Sequence, residues 1–420
     1  MSEFSKFERR LALMLDKYPF IKKSIKTCYA YLMRIIQIKG ERAQLKYSID
    51  AVYSQEESFF GYYDKFPSNG KGLVLFHSSS FDTSKQADKV PYISIVLQDE
   101  ASNVILWRHK TKAFNWQQGS RLQWITEDKF MFNVFDEHTK EYRAKVISTI
   151  DYTFIDYEFP VQDSFAEKYY LSLNYKRLAT LKPEYGYHCD QALSYDLLPD
   201  YESDGIWKVD FWNGKGSLIL SLSEICQFCP EEHFHNATHL VNHIQISSTG
   251  ESFVFLHRYT FKGKQTDRLI LFNFMTGQLK LIAASNLISH FYWQSNNTLV
   301  AYLEDSSKGR CYVHINLETL QRKYLTCLDG YGDGHPGGSG SVMITDTYPN
   351  RSGQQSLLML NNVLDNENPI EIAKLYHPLK FMGGSRCDLH PRIDVEKKVI
   401  YFDSVYTGKR QLYRMELTGD

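Results

Sequence analysis

The stretch from residue 242 to 258, NHIQISSTGESFVFLHR, decides the fold. A polar residue opens it, a short hydrophobic stretch follows, Ser-Ser-Thr-Gly makes a turn, and SFVFLHR is an apolar strand. The same order recurs in GYYDKFPSNGKGLVLFHS from Gly61, QGSRLQWITEDKFMFNVF from Gln118, HFYWQSNNTLVAYLE from His290 and HPRIDVEKKVIYFDS from His390. HPGGSGSVMITDTYP from His335 is a degenerate copy, and EKYYLSLNYKRLATL from Glu167 supplies the remaining unit. Where clearest, the spacing is roughly 45 to 55 residues, close to what a four-stranded blade needs. A β-sandwich would not need one motif to recur at this interval, whereas radial closure removes most exposed strand edges. The reading is therefore an all-β, seven-bladed β-propeller over residues 50–420. RQLYRMEL near the C-terminus is expected to close the ring with strands from the first unit. The long gap between Glu167 and His243 predicts an insertion near 180–202, TLKPEYGYHCDQALSYDLLPDYE.

Composition agrees, with 43% hydrophobic and 15% aromatic residues, including 29 Tyr and 26 Phe, types that favour strands. With 48 basic and 49 acidic side chains no global field attracts nucleic acid, so an anionic ligand must be met locally. Seven cysteines stand at 28, 189, 226, 229, 311, 327 and 387. The one C-x-x-C, Cys226 and Cys229, lacks a second pair at zinc-finger spacing, and free thiols fit a reducing compartment. Early charges at Glu3, Lys6, Glu8, Arg9 and Arg10 break any secretory h-region, and no window of 18 apolar residues follows. A cytoplasmic protein without a membrane span is expected. Residues 1–46 differ: apolar residues at helical spacing, divided by Pro19, carry eleven basic against four acidic side chains. This basic amphipathic helical extension either packs on the main domain or lies on the anionic inner-membrane surface as a peripheral contact.

In a propeller the strand that enters each blade borders the central channel. His243, His290, His335 and His390 share that phase in four consecutive units. Neutral imidazoles bind divalent transition metals, and His243, His335 and His390 form the candidate metal set. Gln245, two residues on and on the same strand face by period two, is a fourth candidate. Asp333 and Asp388 each precede a histidine by two residues and would ligate directly or orient the rings. A polar residue before a blade strand also serves as repeat grammar, and that reading is taken for His290, which leads into Phe291-Tyr292-Trp293. Arg258, Arg386 and Arg392 sit near the same registers, with guanidinium forks suited to carboxylates. His188, in the insertion, offers a base over the channel mouth. Trp116, Gln117 and Gln118 put an aromatic and amides at another blade entrance and suit a sugar ring; Tyr63, flanked by Tyr62 and Asp64, invites the same reading.

At NHIQIS, DGHPGGS and DLHPRID…VIYFDS the chain resembles the oligogalacturonate lyases and the related Tol-type propellers, whose blades start with a His-Pro-x-Trp/Phe-Ser-Pro-Asp-Gly pattern. It also looks like a group of bacterial propellers encoded in capsule and lipopolysaccharide gene clusters. The lyase resemblance implies a cytoplasmic seven-bladed propeller that binds manganese through three histidines and a glutamine and cleaves uronate oligomers by β-elimination. His243 in NHIQ matches that family's ligand pattern best. His335 supplies one imidazole where the family has a Gln and two closely spaced His, and His390 matches the blade pattern only. The resemblance thus implies a metal-dependent, polysaccharide lyase-like enzyme for an acidic sugar; the residues read above would then serve it, the metal or an arginine, Arg258 or Arg386, neutralising the carboxylate and His188 acting as the base. The alternative is a non-catalytic scaffold or carbohydrate-binding protein in bacterial surface polysaccharide biosynthesis. Glycosyl transfer has little support, because no Gly-rich phosphate turn or doubly wound half is present.

Overall fold

A computed structural model describes residues 42–189 and 193–417. Seven antiparallel sheets form the blades of a β-propeller. Their innermost strands are Glu57–Phe59, Gln123–Trp124, Asp163–Phe165, Thr238–Ile246, Ile288–Ser295, Gly337–Ser339 and Arg392–Asp394, which define blades 1 to 7 in chain order. The ring closes as a composite blade: Ile49–Ala51 pairs with Gln411–Glu416, the third strand of blade 7. The predicted helical extension falls outside the described residues as far as residue 41. Residues 43–45, counted with it, are instead the strand Ala43–Leu45, a fifth strand on blade 6 against Ile370–Tyr376. Among the described residues no helix is long and apolar enough to cross a membrane.

Second strands such as Leu73–Ser79 and Ser252–Phe261 are buried along nearly their whole length, because each sheet is covered on both faces by its neighbours. That is why they read as continuous apolar runs instead of alternating ones. The core consequently lies between blades, as where Phe60, Phe76, Val96, Phe130, Phe132 and Tyr401 meet.

The insertion falls between the second and third strands of blade 3, Tyr169–Ser172 and Gly205–Asp210. It begins with a helix, α1 (Tyr175–Leu181), capped by the Asn174 side chain accepting the Lys176 and Arg177 amides. The chain then doubles back so tightly that a Cβ on Gly186 would lie 2.3 Å from Ala179 Cα; only glycine permits this crossing. Tyr187 is pinned below it, stacked on Tyr175 at 4.3 Å with its hydroxyl accepting from Asn133 Nδ2 at 2.8 Å. These contacts carry Tyr185 over the channel.

A recurrent device joins the blades. A buried polar side chain of one blade accepts a backbone N–H at the start of the next: His77 from Ser120, Asn133 from Val161, Asp163 from Ile246, Asp267 from Ile288, Asp346 from His390 and Asp403 from Phe60. At the first of these joints His77 Nε2 also accepts the Ser120 hydroxyl at 2.8 Å, and the imidazole sits against Gly119, where any Cβ would collide with the ring. Burial pushes the His77 pKa down to about 3. The unfolded chain takes up this proton near pH 6.5 and the native one does not, so stability falls as pH drops below that point, by about 1.4 kcal/mol per unit. Comparing urea midpoints at pH 7 and pH 5, His77→Gln is expected to lose about 2 kcal/mol of the wild-type acid destabilisation. An unchanged pH slope in that variant would refute the assignment.

Candidate metal centre and cleft

Four channel histidines meet around one tyrosine. The ring of His290 lies 4.2 Å from that of His335, and His335 lies 4.2 Å from His390; His243 is 5.9 Å from His290. Tyr62 stands among them, its ring 5.2, 6.4, 6.5 and 5.4 Å from those of His243, His290, His335 and His390. All five are buried. Local backbone geometry turns the outer two inward: His243 has φ +52° and His390 φ +44°. At His243 the strand register shifts between Asn242 and Gln245, a β-bulge that aims the imidazole at the channel.

The bulge also overturns the period-two placement of Gln245. Its amide donates to Phe291 O at 2.9 Å, and it lines a separate opening of about 220 Å³ with Tyr63, Asp64, Lys65 and Asp163. Its side chain makes no hydrogen bond to a cluster histidine among the described residues.

The cluster fits a divalent cation. Among the described residues, the ligand atoms of His335, Asp388 and His390 lie within 4.8 Å of one another. His335 gives Nδ1 to Asp346 at 2.9 Å and His290 gives Nδ1 to Asp333 at 3.2 Å, so each carboxylate fixes the ring orientation and, in the neutral ring that a metal binds, leaves the lone pair on Nε2. Burial holds His243 and His390 well below the usual imidazole range, hence neutral; for His335 the Asp346 carboxylate overrides burial and raises the pKa. His390 Nε2 and His243 Nδ1 are buried without a hydrogen-bond partner, at a cost of about 1–3 kcal/mol each that a ligand would offset. Asp388 also binds Arg386 in a bidentate pair at 2.7 and 2.8 Å.

A second close group, Cys226, His239 and His257, does not fit a metal. Arg268 Nε donates to His257 Nδ1 at 3.0 Å, which puts the His257 proton on Nε2, facing His239 Nδ1 at 2.9 Å; His239 Nε2 then donates to Phe234 O at 2.8 Å. Every imidazole lone pair is used, and the remaining Arg268 nitrogens hold the carbonyls of Ile225, Phe228 and Cys229 at the C-terminal end of helix α2 (Leu222–Gln227).

Above the cluster opens a cleft of about 560 Å³, lined among others by Trp116, Gln117, Tyr185, His188 and Arg386. Trp116, Gln117, His188 and Arg386, singled out in three separate stretches of the sequence, thus share one concavity, of a size suited to small ligands. Tyr185 forms its floor toward the cluster, its ring 4.9 Å from that of His243 and edge-on to it. Arg386 packs on the Tyr348 ring at 4.5 Å and is the one candidate arginine with substantial side-chain exposure, 39%. Trp116 shows only an edge: its Nε1 donates to Lys85 O and its ring carries the Arg410 guanidinium at 5.1 Å.

The other candidates are placed differently. Arg258 is buried, bridging Asn242, Asp267 at 2.8 Å and Ile288 O, and Arg392 is buried with Asp403 and the carbonyls of Gly61 and Tyr62. Both are blade joints that a substrate does not reach. Tyr63 spends its hydroxyl on Phe291, donating to O at 2.9 Å and accepting from N at 3.1 Å. Gln118 is buried behind the cleft, with its amide N–H on Asn115. His188 is exposed at the cleft rim, bonded to Pro183 O, and the Tyr185 floor stands between the cleft and the cluster. Conversely, His290, read as repeat grammar, belongs to the cluster, and Tyr62, Tyr185 and Asp346 complete it.

No protein-family model matches the chain, and no curated protein matches it in sequence. Solved structures do match in shape. An oligogalacturonate lyase in complex with manganese aligns over 90% of this chain and 95% of its own, at 14% identity and a TM-score of 0.60. The oligogalacturonate lyase from Vibrio parahaemolyticus aligns over 90% and 96%, at 13% identity and a TM-score of 0.56. TolB from Acinetobacter baumannii aligns over 80% and 82%, at 12% identity and a TM-score of 0.37. The two lyases establish the fold this chain is similar to, a seven-bladed propeller aligned over nearly its whole length, and one of them is a complex with a metal.

Proposed function

We propose that this protein is a metal-dependent, lyase-like enzyme that acts in the cytoplasm on an acidic, uronate-type oligosaccharide by β-elimination. The observation that carries the reading is the buried donor set of His335, Asp388 and His390 beneath a cleft containing Arg386. His335, Asp388 and His390 would hold the cation, with His290 beside them, and manganese is favoured by the likeness to the lyase solved with it. Such an ion supplies positive charge beside the substrate carboxylate, which makes the neighbouring C–H easier to deprotonate. Arg386, whose Nε and Nη2 are held by Asp388, lines the cleft and turns the remaining edge of its guanidinium, at Nη1, to the carboxylate. His243, neutral and with Nδ1 unpartnered, takes the proton once Tyr185 has moved aside.

Purified protein should contain divalent metal near one per chain by elemental mass spectrometry, and should convert oligouronates to unsaturated products that absorb in the ultraviolet. Tight oligouronate binding without turnover, in metal-loaded protein, would replace this reading with that of a carbohydrate-binding scaffold.

A further inference from the structure

β-Elimination needs a second proton transfer besides the one His243 makes. As the C–O bond breaks, the departing oxygen becomes an alkoxide, and protonating it in the transition state is worth about 10²- to 10⁴-fold in rate. Tyr62, in ring contact with all four channel histidines, offers a hydroxyl placed for this. Tyr62 Oη is hydrogen-bonded to His243 Nε2, and no other hydrogen bond of that hydroxyl is found among the described residues. Its position is fixed from three sides: the Tyr62 carbonyl accepts Arg392 Nε at 3.1 Å, the Arg121 guanidinium lies 5.7 Å over its ring, and Tyr63 abuts it at 4.6 Å. Arg121 is itself locked by a bidentate pair with Asp64, the second residue after Tyr62.

We infer that Tyr62 is the proton donor to the leaving oxygen, working through His243 as a relay; the inference rests on the lyase reading above. The relay uses the tautomer of His243 in which Nε2–H donates to Tyr62 Oη, which makes the partnerless Nδ1 the bare lone pair. The substrate C–H proton passes to Nδ1 as its bonding electrons form the new C=C and the C–O bond breaks. The departing oxygen takes the Tyr62 hydroxyl proton, and His243 Nε2–H restores the phenol across the hydrogen bond already in place. One proton moves from carbon to oxygen, and neither an oxidant nor a reductant is required. His243 ends with its proton on Nδ1 and returns to the starting tautomer by exchange with water. A tyrosine serving only as packing would need no hydroxyl at this spot, and a phenylalanine would fill the same volume.

The test is Tyr62→Phe assayed on two uronates that differ only in the group at O4, methyl, which leaves as a basic alkoxide, or 4-nitrophenyl, which leaves without help. Expected are unchanged metal content, a loss of about 10²-fold or more with the methyl ether, and near wild-type turnover with the nitrophenyl ether. An equal loss on both overturns the role of Tyr62 and leaves the lyase reading standing. Wild-type protein inert on both overturns the lyase reading, and this assignment with it. Should Tyr62→Phe fail to fold, the wild-type enzyme decides across a graded series of aryl leaving groups: rates nearly independent of leaving-group basicity support a proton donor, and a steep dependence excludes one.

Discussion

His335→Ala is expected to strip the channel of metal, with content after equal dialysis below about a tenth of wild type, and to abolish turnover. His335 is the middle of the cluster, in ring contact with both His290 and His390, and one of the three donors that converge. The variant should remain folded for a specific reason. Asp346 holds the backbone N–H of His335 at 2.7 Å and that of His390 at 3.0 Å, so the joint between blades 6 and 7 survives loss of the imidazole. Asp346→Asn separates orientation from ligation: the ring loses the carboxylate that fixes its tautomer, and metal affinity is expected to fall about 10- to 100-fold without disappearing. Titrating manganese into metal-free protein and following bound ion by equilibrium dialysis measures both. If Asp346→Asn binds as tightly as wild type while His335→Ala loses stability instead of metal, His335 is a joint residue and the metal centre lies elsewhere.

The propeller is legible in the sequence because its signal is local and repeated. Each blade needs a second strand buried on both faces, which forces runs such as LVLFHSS and SFVFLHRYTF, and these recur in phase with the turns. The phase of the histidines follows from the same alignment. What fails are inferences that need three-dimensional partners. Strand alternation places Gln245 beside His243, and a bulge of one residue breaks alternation at the site itself. His290 is hidden by the aromatic residues that follow it, which are ordinary strand-forming types. Arg258 is open to a better reading: Lys262 and Gly263, with φ +49° and +76°, form a two-residue hairpin turn whose register sets Arg258 opposite Asp267. A hairpin with Arg and Asp in register argues for a buried pair. Tyr62 carries the same blade-entrance phase as His243, but in the sequence its ring, as a sugar platform, draws notice before its hydroxyl does. The polar residue near the end of a second strand, His77, Asn133 or Asp403, is visible in several units; only the ring shows that it reaches the next blade.

The second large effect falls on stability and concerns an arginine that sequence assigns to substrate. Arg392→Met is expected to destabilise the fold by about 3–5 kcal/mol, because it leaves the Asp403 carboxylate buried without its cation. Asp403 sits where the ring closes, accepting Phe60 N at 2.8 Å and Gly61 N at 3.2 Å from blade 1 while lying on blade 7. Burial already pushes the Asp403 pKa up in spite of Arg392, so the arginine is what keeps the charge tolerable. The double variant Arg392→Met with Asp403→Asn should recover part of the loss, since a neutral amide oxygen still accepts the Phe60 N–H and no unpaired charge remains. Urea denaturation of the four proteins in this cycle measures the coupling. Strict additivity would show that the pair does not act as a unit and would remove the electrostatic account of closure. The same arginine donates to Tyr62 O, so the single variant should also lower turnover in protein that is still folded, by loosening the residue at the centre of the channel. The closure of the ring and the placement of the proposed proton donor thus depend on one guanidinium, and a substrate-contact role for Arg392 would instead predict weaker binding with stability unchanged.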